Sequence, residues 1–390
     1  MDLPCVATCS RGLEGVLAGE LEAYGVVGTP VGGAVEFCAS VPQLVHLNFW
    51  LRTASRVLVR VGGGPCLSRG DLYQLASSVP WEDYLRRDAT VAVQVNGRHE
   101  AFVNTHFAAL VVKDALVDRL REKRGQRPSV NLQDPDLRVV VHLQPNSCSL
   151  FLDSSGEPLS HRGYRQKHAA APLSENLAAA LLLLAGYDGA KPFVDPMCGS
   201  GTIVIEAALL ASGTPPGWRR SFAFERWPFV ERVWLDQLRQ AARARRVTPS
   251  EPIAGSDVSS KAVALAQRAA KAAGVQQVVR FSQQDVRRMP PLAPGTLVIS
   301  NPPYGLRVGE EAQLSHFYRQ LGDTFKHAAV GSEVWLLLGN PRLARQLGLR
   351  PQRKFSLFNG PLPCQFCCYP VVEGSFRRSR ATRPSDRLAL

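Results

Sequence analysis

The chain has 390 residues, 45% of them hydrophobic, which is enough for two or three packed domains; no stretch reaches the ~18 consecutive apolar residues of a membrane span. The start, Met1-Asp2-Leu3-Pro4-Cys5, has no basic segment leading into an apolar one, so no secretory signal is expected, and nine cysteines without export argue for reduced thiols and a cytoplasmic location. A formal charge of +13 and a pI near 9.6 favour a polyanionic partner, nucleic acid first.

In chain order, residues 5–9 read as a short strand, and Leu13, Val16, Leu17 and Leu21 fall on one face of a helix ending at Tyr24-Gly25. A glycine-rich hairpin is expected over 26–37, then a second helix carrying Leu44, Leu47, Leu51 and Val57. From Asp71 to about Leu159 the pattern is mixed α/β, with a strand at 91–95, a helix over 106–121, and strands at 139–141 and 149–152 that pair. Arg119, Arg121, Lys123, Arg124 and Arg127 crowd the end of that helix; they suit RNA phosphates, or a solvated face that complements the helix dipole. His161, Arg162, Arg165 and Lys167 form a second basic cluster at the polar junction between the halves. From Pro192 onward, strands ending at Val194, Ser256, Phe281, Ser300 and Leu338 alternate with helices or turns, the pattern of a parallel, doubly wound sheet. A Trp- and Arg-rich helical insert interrupts it at 218–246. An antiparallel hairpin around Asn359-Gly360 closes it, with Cys364, Cys367 and Cys368 read as strand-buried thiols, and the Arg-rich tail is expected to be disordered.

Two motifs carry chemistry. The turn Asp195-Pro196-Met197-Cys198-Gly199-Ser200-Gly201-Thr202 sits where the first strand meets the first helix, where glycine lets backbone approach a ligand beside a helix N-terminus. A dinucleotide fingerprint would need a third glycine at Val204, and no Gly-Lys-Ser/Thr follows, so a small methyl donor fits better. Asp195 can meet the donor's ammonium group or cap the helix; Asp257 can accept both ribose hydroxyls or cap the next helix; Asp285 can read an adenine amino group or serve as a turn aspartate. The second motif is Asn301-Pro302-Pro303-Tyr304 after the strand Leu297-Val298-Ile299. The Asn301 side-chain oxygen and the Pro302 carbonyl can take both hydrogens of an amino group, aiming its lone pair at the methyl, while Tyr304 stacks on the base. A target base would have to be flipped or unpaired.

These two motifs, with Ala7-Thr8-Cys9-Ser10-Arg11-Gly12-Leu13-Glu14, Val112-Lys113-Asp114-Ala115-Leu116-Val117-Asp118, His161-Arg162-Gly163-Tyr164-Arg165 and Asn359-Gly360-Pro361-Leu362, resemble the THUMP-containing guanine-N2 RNA methyltransferases, most like their large-subunit 23S ribosomal RNA branch, over about residues 5 to 370. The resemblance implies a Rossmann-like class I methyltransferase domain at 191–375, preceded by a ferredoxin-like segment at 1–45, a THUMP domain at 46–158 and a junction at 159–190, with a basic tail at 376–390. It implies S-adenosylmethionine as donor, guanine N2 as acceptor and a THUMP domain that binds RNA, with Lys113, Arg119, Lys123, Arg124, Arg127, Arg162 and Arg165 as the expected footprint; Cys364, Cys367 and Cys368 lack the second Cys/His pair of a zinc site, so no metal is expected. The second methyltransferase to which some members are fused has no counterpart in these residues. Competing expectations are a transfer-RNA guanine-N2 enzyme, a DNA adenine-N6 enzyme sharing the Asn-Pro-Pro-Tyr logic, and a non-catalytic RNA-binding assembly factor.

Overall fold

The computed structural model describes residues 2–102, 104–165, 173–305 and 310–373; Lys167 and the expected disordered tail lie outside these. The first half begins with β1 (Leu3–Thr8), α1 (Glu14–Ala23), β2 (Gly28–Val31), β3 (Ala34–Ala39), α2 (Val41–Trp50) and β4 (Arg56–Pro65). A capping box between Ser40 and Gln43 opens α2. Leu51, extended at ψ 125, closes it. Val57, expected on this helix, therefore lies in β4, because the turn after Trp50 returns the chain beside β1, where Val57 and Val59 face Ala7 and Cys5.

The half continues through α3 (Arg69–Ser78), α4 (Trp81–Tyr84), β5 (Thr90–Gly97), α5 (Thr105–Arg124), β6 (Ser129–Val130), β7 (Leu137–Gln144) and β8 (Ser147–Asp153). All eight strands join one sheet, ordered β2-β3-β1-β4-β8-β7-β5-β6. The boundary expected between residues 45 and 46 needs correction: it would cut α2, whose Leu44, Val45, Leu47 and Phe49 share one core with β1 and β4. The first unit thus extends through β4, which pairs with β1 on one edge and β8 on the other.

The second half holds α6 (Glu175–Leu184), β9 (Phe193–Asp195), α7 (Thr202–Ala211), α8 (Arg232–Arg245), β10 (Ile253–Asp257), α9 (Ser260–Ala273), β11 (Val279–Gln283), β12 (Leu297–Ser300), α10 (Glu310–Ala328), β13 (Ser332–Leu338), α11 (Pro341–Gln346), β14 (Arg353–Asn359) and β15 (Leu362–Val371). Its seven strands are ordered β11-β10-β9-β12-β13-β15-β14, and β15 runs antiparallel to both neighbours while the first five strands are parallel. The expected doubly wound sheet with an antiparallel terminal hairpin is present. Strand order steps outward in both directions from β9, which opens a crevice at its C-terminal end.

The insert between α7 and β10 reaches back to the first half. Phe222, Phe224, Trp227, Val230 and Leu235 lie in the core formed by β1, β4 and α2. The Gly217 amide donates to the Phe49 carbonyl at 3.0 Å, and Arg52 Nη2 donates to the Thr214 carbonyl at 2.8 Å. Among the described residues no helix is long and apolar enough to cross a membrane.

Candidate active site

Both chemical motifs lie at the switch point. β9 ends at Asp195, and the turn that follows leads into α7. Gly199 adopts φ +52 with open space where a side chain would stand; Gly201 adopts φ +82, and a Cβ there would approach Ala266 Cβ to 2.8 Å. One glycine thus leaves a cradle open and the other lets the turn pack onto α9. The turn is pinned by its neighbour: the Cys198 amide donates to the Ser256 carbonyl at 2.9 Å, and the Gly199 amide to Asp257 Oδ2 at 2.9 Å. Asp257 Oδ1 accepts from the Ser259 amide at 2.9 Å, so the carboxylate stands at the end of β10 with lone pairs left over.

Asp195 is buried, 1% exposed, and its Oδ1 accepts from Ser300 Oγ at 2.6 Å and from the Met197 amide at 3.1 Å. Burial pushes its carboxyl up to about 7, against the lowering effect of those bonds. Ser300 ends β12 and immediately precedes Asn301, so one hydrogen bond joins the glycine turn to the Asn-Pro-Pro-Tyr motif. Sequence reasoning missed Ser300; its only signal was a hydroxyl on an otherwise apolar strand next to Asn301.

Tyr304 does not stand over open space. Its hydroxyl donates to Asn301 Oδ1, and Asn359 Nδ2 donates to that hydroxyl at 3.5 Å. The ring lies against Gly339, where a Cβ would come within 2.8 Å of it. The Tyr318 hydroxyl donates to the Pro303 carbonyl at 2.9 Å and fixes the second proline. Asn359 ends β14, Gly339 follows β13 and Tyr318 lies in α10, and nothing local marked them as neighbours of Tyr304. Pro302 is buried beneath the motif. Asp285 requires revision: its carboxylate is closed onto Arg287, with Nε at 3.0 and 2.9 Å, and accepts the Arg287 amide at 2.9 Å. That guanidinium holds its pKa below the usual range, so an adenine amino group would have to compete with Arg287.

The expected RNA footprint divides. Arg162 is only 3% exposed and pairs with buried Glu206 at 3.5 Å. Arg165 Nη2 donates to Thr202 Oγ1 at 3.1 Å and to the Leu173 carbonyl at 2.6 Å. Arg119 grips Glu82 at 2.9 and 2.6 Å, and Arg124 donates to the carbonyls of Leu85, at 2.8 Å, and Glu82. These four guanidiniums hold the protein together and are withdrawn from the footprint; a planar fork suits buried carbonyls and carboxylates as well as phosphates. Lys123 and Arg127 stay exposed, and Lys113 pairs with Asp114 at 2.5 Å.

A seven-stranded, doubly wound sheet with an antiparallel last strand, a glycine turn after its central strand and an Asn-Pro-Pro-Tyr motif on the adjacent strand define a Rossmann-like methyltransferase domain. The known proteins agree: residues 162–367 match the RMKL-like methyltransferase domain, 68–153 the THUMP domain and 4–58 the RlmL ferredoxin-like domain. The chain belongs to the RMKL-like methyltransferase family. It is 38% identical over 392 residues to the ribosomal RNA large subunit methyltransferase K/L of Syntrophotalea carbinolica, covering 96% of this chain but 55% of that protein. The chain thus spans about half the length of the curated K/L relatives it matches. A protein of Synechocystis sp. named as a candidate RNA methyltransferase is 35% identical, with 94% of this chain and 97% of that one covered. A candidate methyltransferase crystallised with SAH superposes at a TM-score of 0.87, with 28% identity, over 96% of this chain and 99% of that one.

Proposed function

We propose that the chain methylates the exocyclic N2 of a guanine in RNA, large-subunit 23S ribosomal RNA being the substrate, with S-adenosylmethionine as donor and in the cytoplasm. The observation that carries this reading is the Asp195–Ser300 bond, which sets the donor turn and Asn301 side by side. The residues fit the donor. Gly199 leaves an open cradle, and Asp257 keeps lone pairs for two hydroxyls beside it. Asp195, buried under the turn from Pro196 and Cys198 through Ser200 and Gly201 to Thr202, offers a carboxylate to an ammonium group. When bound, this donor supplies a methyl on a positively charged sulfur. The protein's part is to hold and orient the acceptor.

Asn301 Oδ1 has two lone pairs, one taken by the Tyr304 hydroxyl. The other accepts one amino hydrogen, the Pro302 carbonyl accepts the second, and the nitrogen lone pair is left facing the donor side. The prolines and the Tyr318 bond hold this geometry in advance, so little is reorganised as charge develops on the nitrogen. Once methylated, the nitrogen is acidic enough to release its proton without a dedicated base. Asn301→Ala tests the reading. Turnover falls by about 10²–10³-fold, the scale of losing one preorganised polar group, while donor affinity measured by calorimetry stays in place. Undiminished turnover refutes the acceptor role, and mass spectrometry of the labelled nucleoside identifies the base.

A further inference from the structure

The basic charge that the junction arginines do not offer to RNA reappears beside the junction, where the Arg219 carbonyl lies 3.4 Å from where a Gly163 side chain would begin. Segments 237–250 and 258–284 contain no Asp or Glu and eight Lys or Arg. The structure folds them together at the C-terminal end of α9. Arg246 Nη2 donates to the Gly274 carbonyl at 2.7 Å, and Arg219 Nη2 lies 2.8 Å from where a Gly274 side chain would begin. Arg243 lies 6.0 Å from the ring of Trp218. Arg268 and Lys271 sit three residues apart on one face of α9, about two turns and one turn before Gly274 respectively. These five cations and Arg245 beside them in sequence are exposed, and among the described residues none has a carboxylate partner. Arg246 and Arg219 serve the negative end of α9. Arg243, Arg245, Arg268 and Lys271 have no such task, Arg245 standing near enough to His46 of α2 to feel its charge, and a run of unneutralised cations facing water is a standing attraction for an anion.

We infer that this face, made by the insert and α9, is a second RNA-docking surface that grips phosphodiester backbone away from the catalytic crevice. The inference rests on the RNA reading above and extends it. α9 begins beside Asp257 at the crevice and ends at the patch; its 14 residues at ~1.5 Å each separate the two by about 21 Å. A bound RNA therefore reaches well beyond the nucleotide whose base enters the site, and a few nucleotides around the target cannot touch both places. Arg243 with Trp218 adds a stacking surface for an unpaired base without reading its identity. Contacts of this kind give affinity and register rather than sequence choice.

The test compares the full chain with a variant carrying Arg243→Gln, Arg245→Gln, Arg268→Gln and Lys271→Gln, and with a charge-keeping control carrying the three arginines as Arg243→Lys, Arg245→Lys and Arg268→Lys. The probes are unmodified large-subunit ribosomal RNA transcribed in vitro and an oligonucleotide too short to span the two sites. Thermal unfolding and donor affinity check that each variant is folded. The glutamine variant loses roughly 3 from the slope of log affinity against log salt on the long RNA, close to 0.7–0.9 per phosphate released. Its KM for long RNA rises about tenfold or more at physiological salt, kcat at saturation holds, and the lysine control behaves as wild type. Unchanged affinity and slope overturn the docking surface alone, as does a loss of affinity with the slope intact. A wild-type protein that binds no RNA overturns both this surface and the proposed function.

Discussion

At the residue scale, Asp195 carries the most consequence. Its carboxyl has an ordinary value of 3.8 and is pushed up to about 7 by burial. A folded-state value above the unfolded one means the folded chain holds the extra proton. This group's contribution to stability is therefore complete below pH 3.8 and drains away as pH rises through about 7. In the role proposed for Asp195, binding the donor's ammonium group pulls the other way, because it needs the carboxylate. Donor affinity is expected to strengthen between pH 6 and pH 8, and Asp195→Asn to flatten that dependence while keeping the bond from Ser300; calorimetric titrations at the two pH values decide it. Arg162 makes the other residue-scale prediction. It pairs with Glu206, and the two side chains are 2% and 0% exposed. Arg162→Ala leaves a buried carboxylate with the Tyr164 hydroxyl at 3.0 Å as a neutral partner, a loss of about 3–5 kcal/mol. A denaturant midpoint unchanged from wild type would rule this out.

At the element scale, what the sequence displayed and what it hid follow one division. The strands of the second sheet were legible because each is a short apolar run stopped by a polar or glycine-bearing turn, and β12, Leu297–Ser300, is buried throughout, as a central parallel strand must be. The two motifs were legible because each is continuous in sequence. Contacts between elements were not. Ser300 on Asp195, Asn359 on Tyr304 and Gly339 beneath the Tyr304 ring all depend on which strands become neighbours. The misreading of Arg162 and Arg165 has the same origin: a run of cations at a polar junction resembles an RNA contact until α6 and α7 bring Glu175 and Glu206 against it. Tyr304 was read as a stacking ring, and its hydroxyl's bond to Asn301 depends on a backbone turn that the tetrapeptide alone does not display.

At the scale of the whole molecule, the two halves are joined more tightly than a recognition module tethered to a catalytic one. A separable recognition module would let residues 1–160 be removed with donor binding spared, but the structure gives that truncation a different outcome. Phe222, Phe224, Trp227, Val230 and Leu235 lose the core that covers them, and Arg162 loses the Arg52 carbonyl it donates to. An exposed apolar patch of this kind favours self-association. The 161–390 fragment is expected to aggregate in size-exclusion chromatography; a monomeric fragment with wild-type donor affinity would show that the halves are separable after all. The insert also orders events during synthesis. The N-terminal core draws on side chains as far along as Ala242, so it stays unfinished on the ribosome until well over half of the chain has been translated. The eight-stranded sheet must wait, partly uncovered, for a helix that belongs to its neighbour.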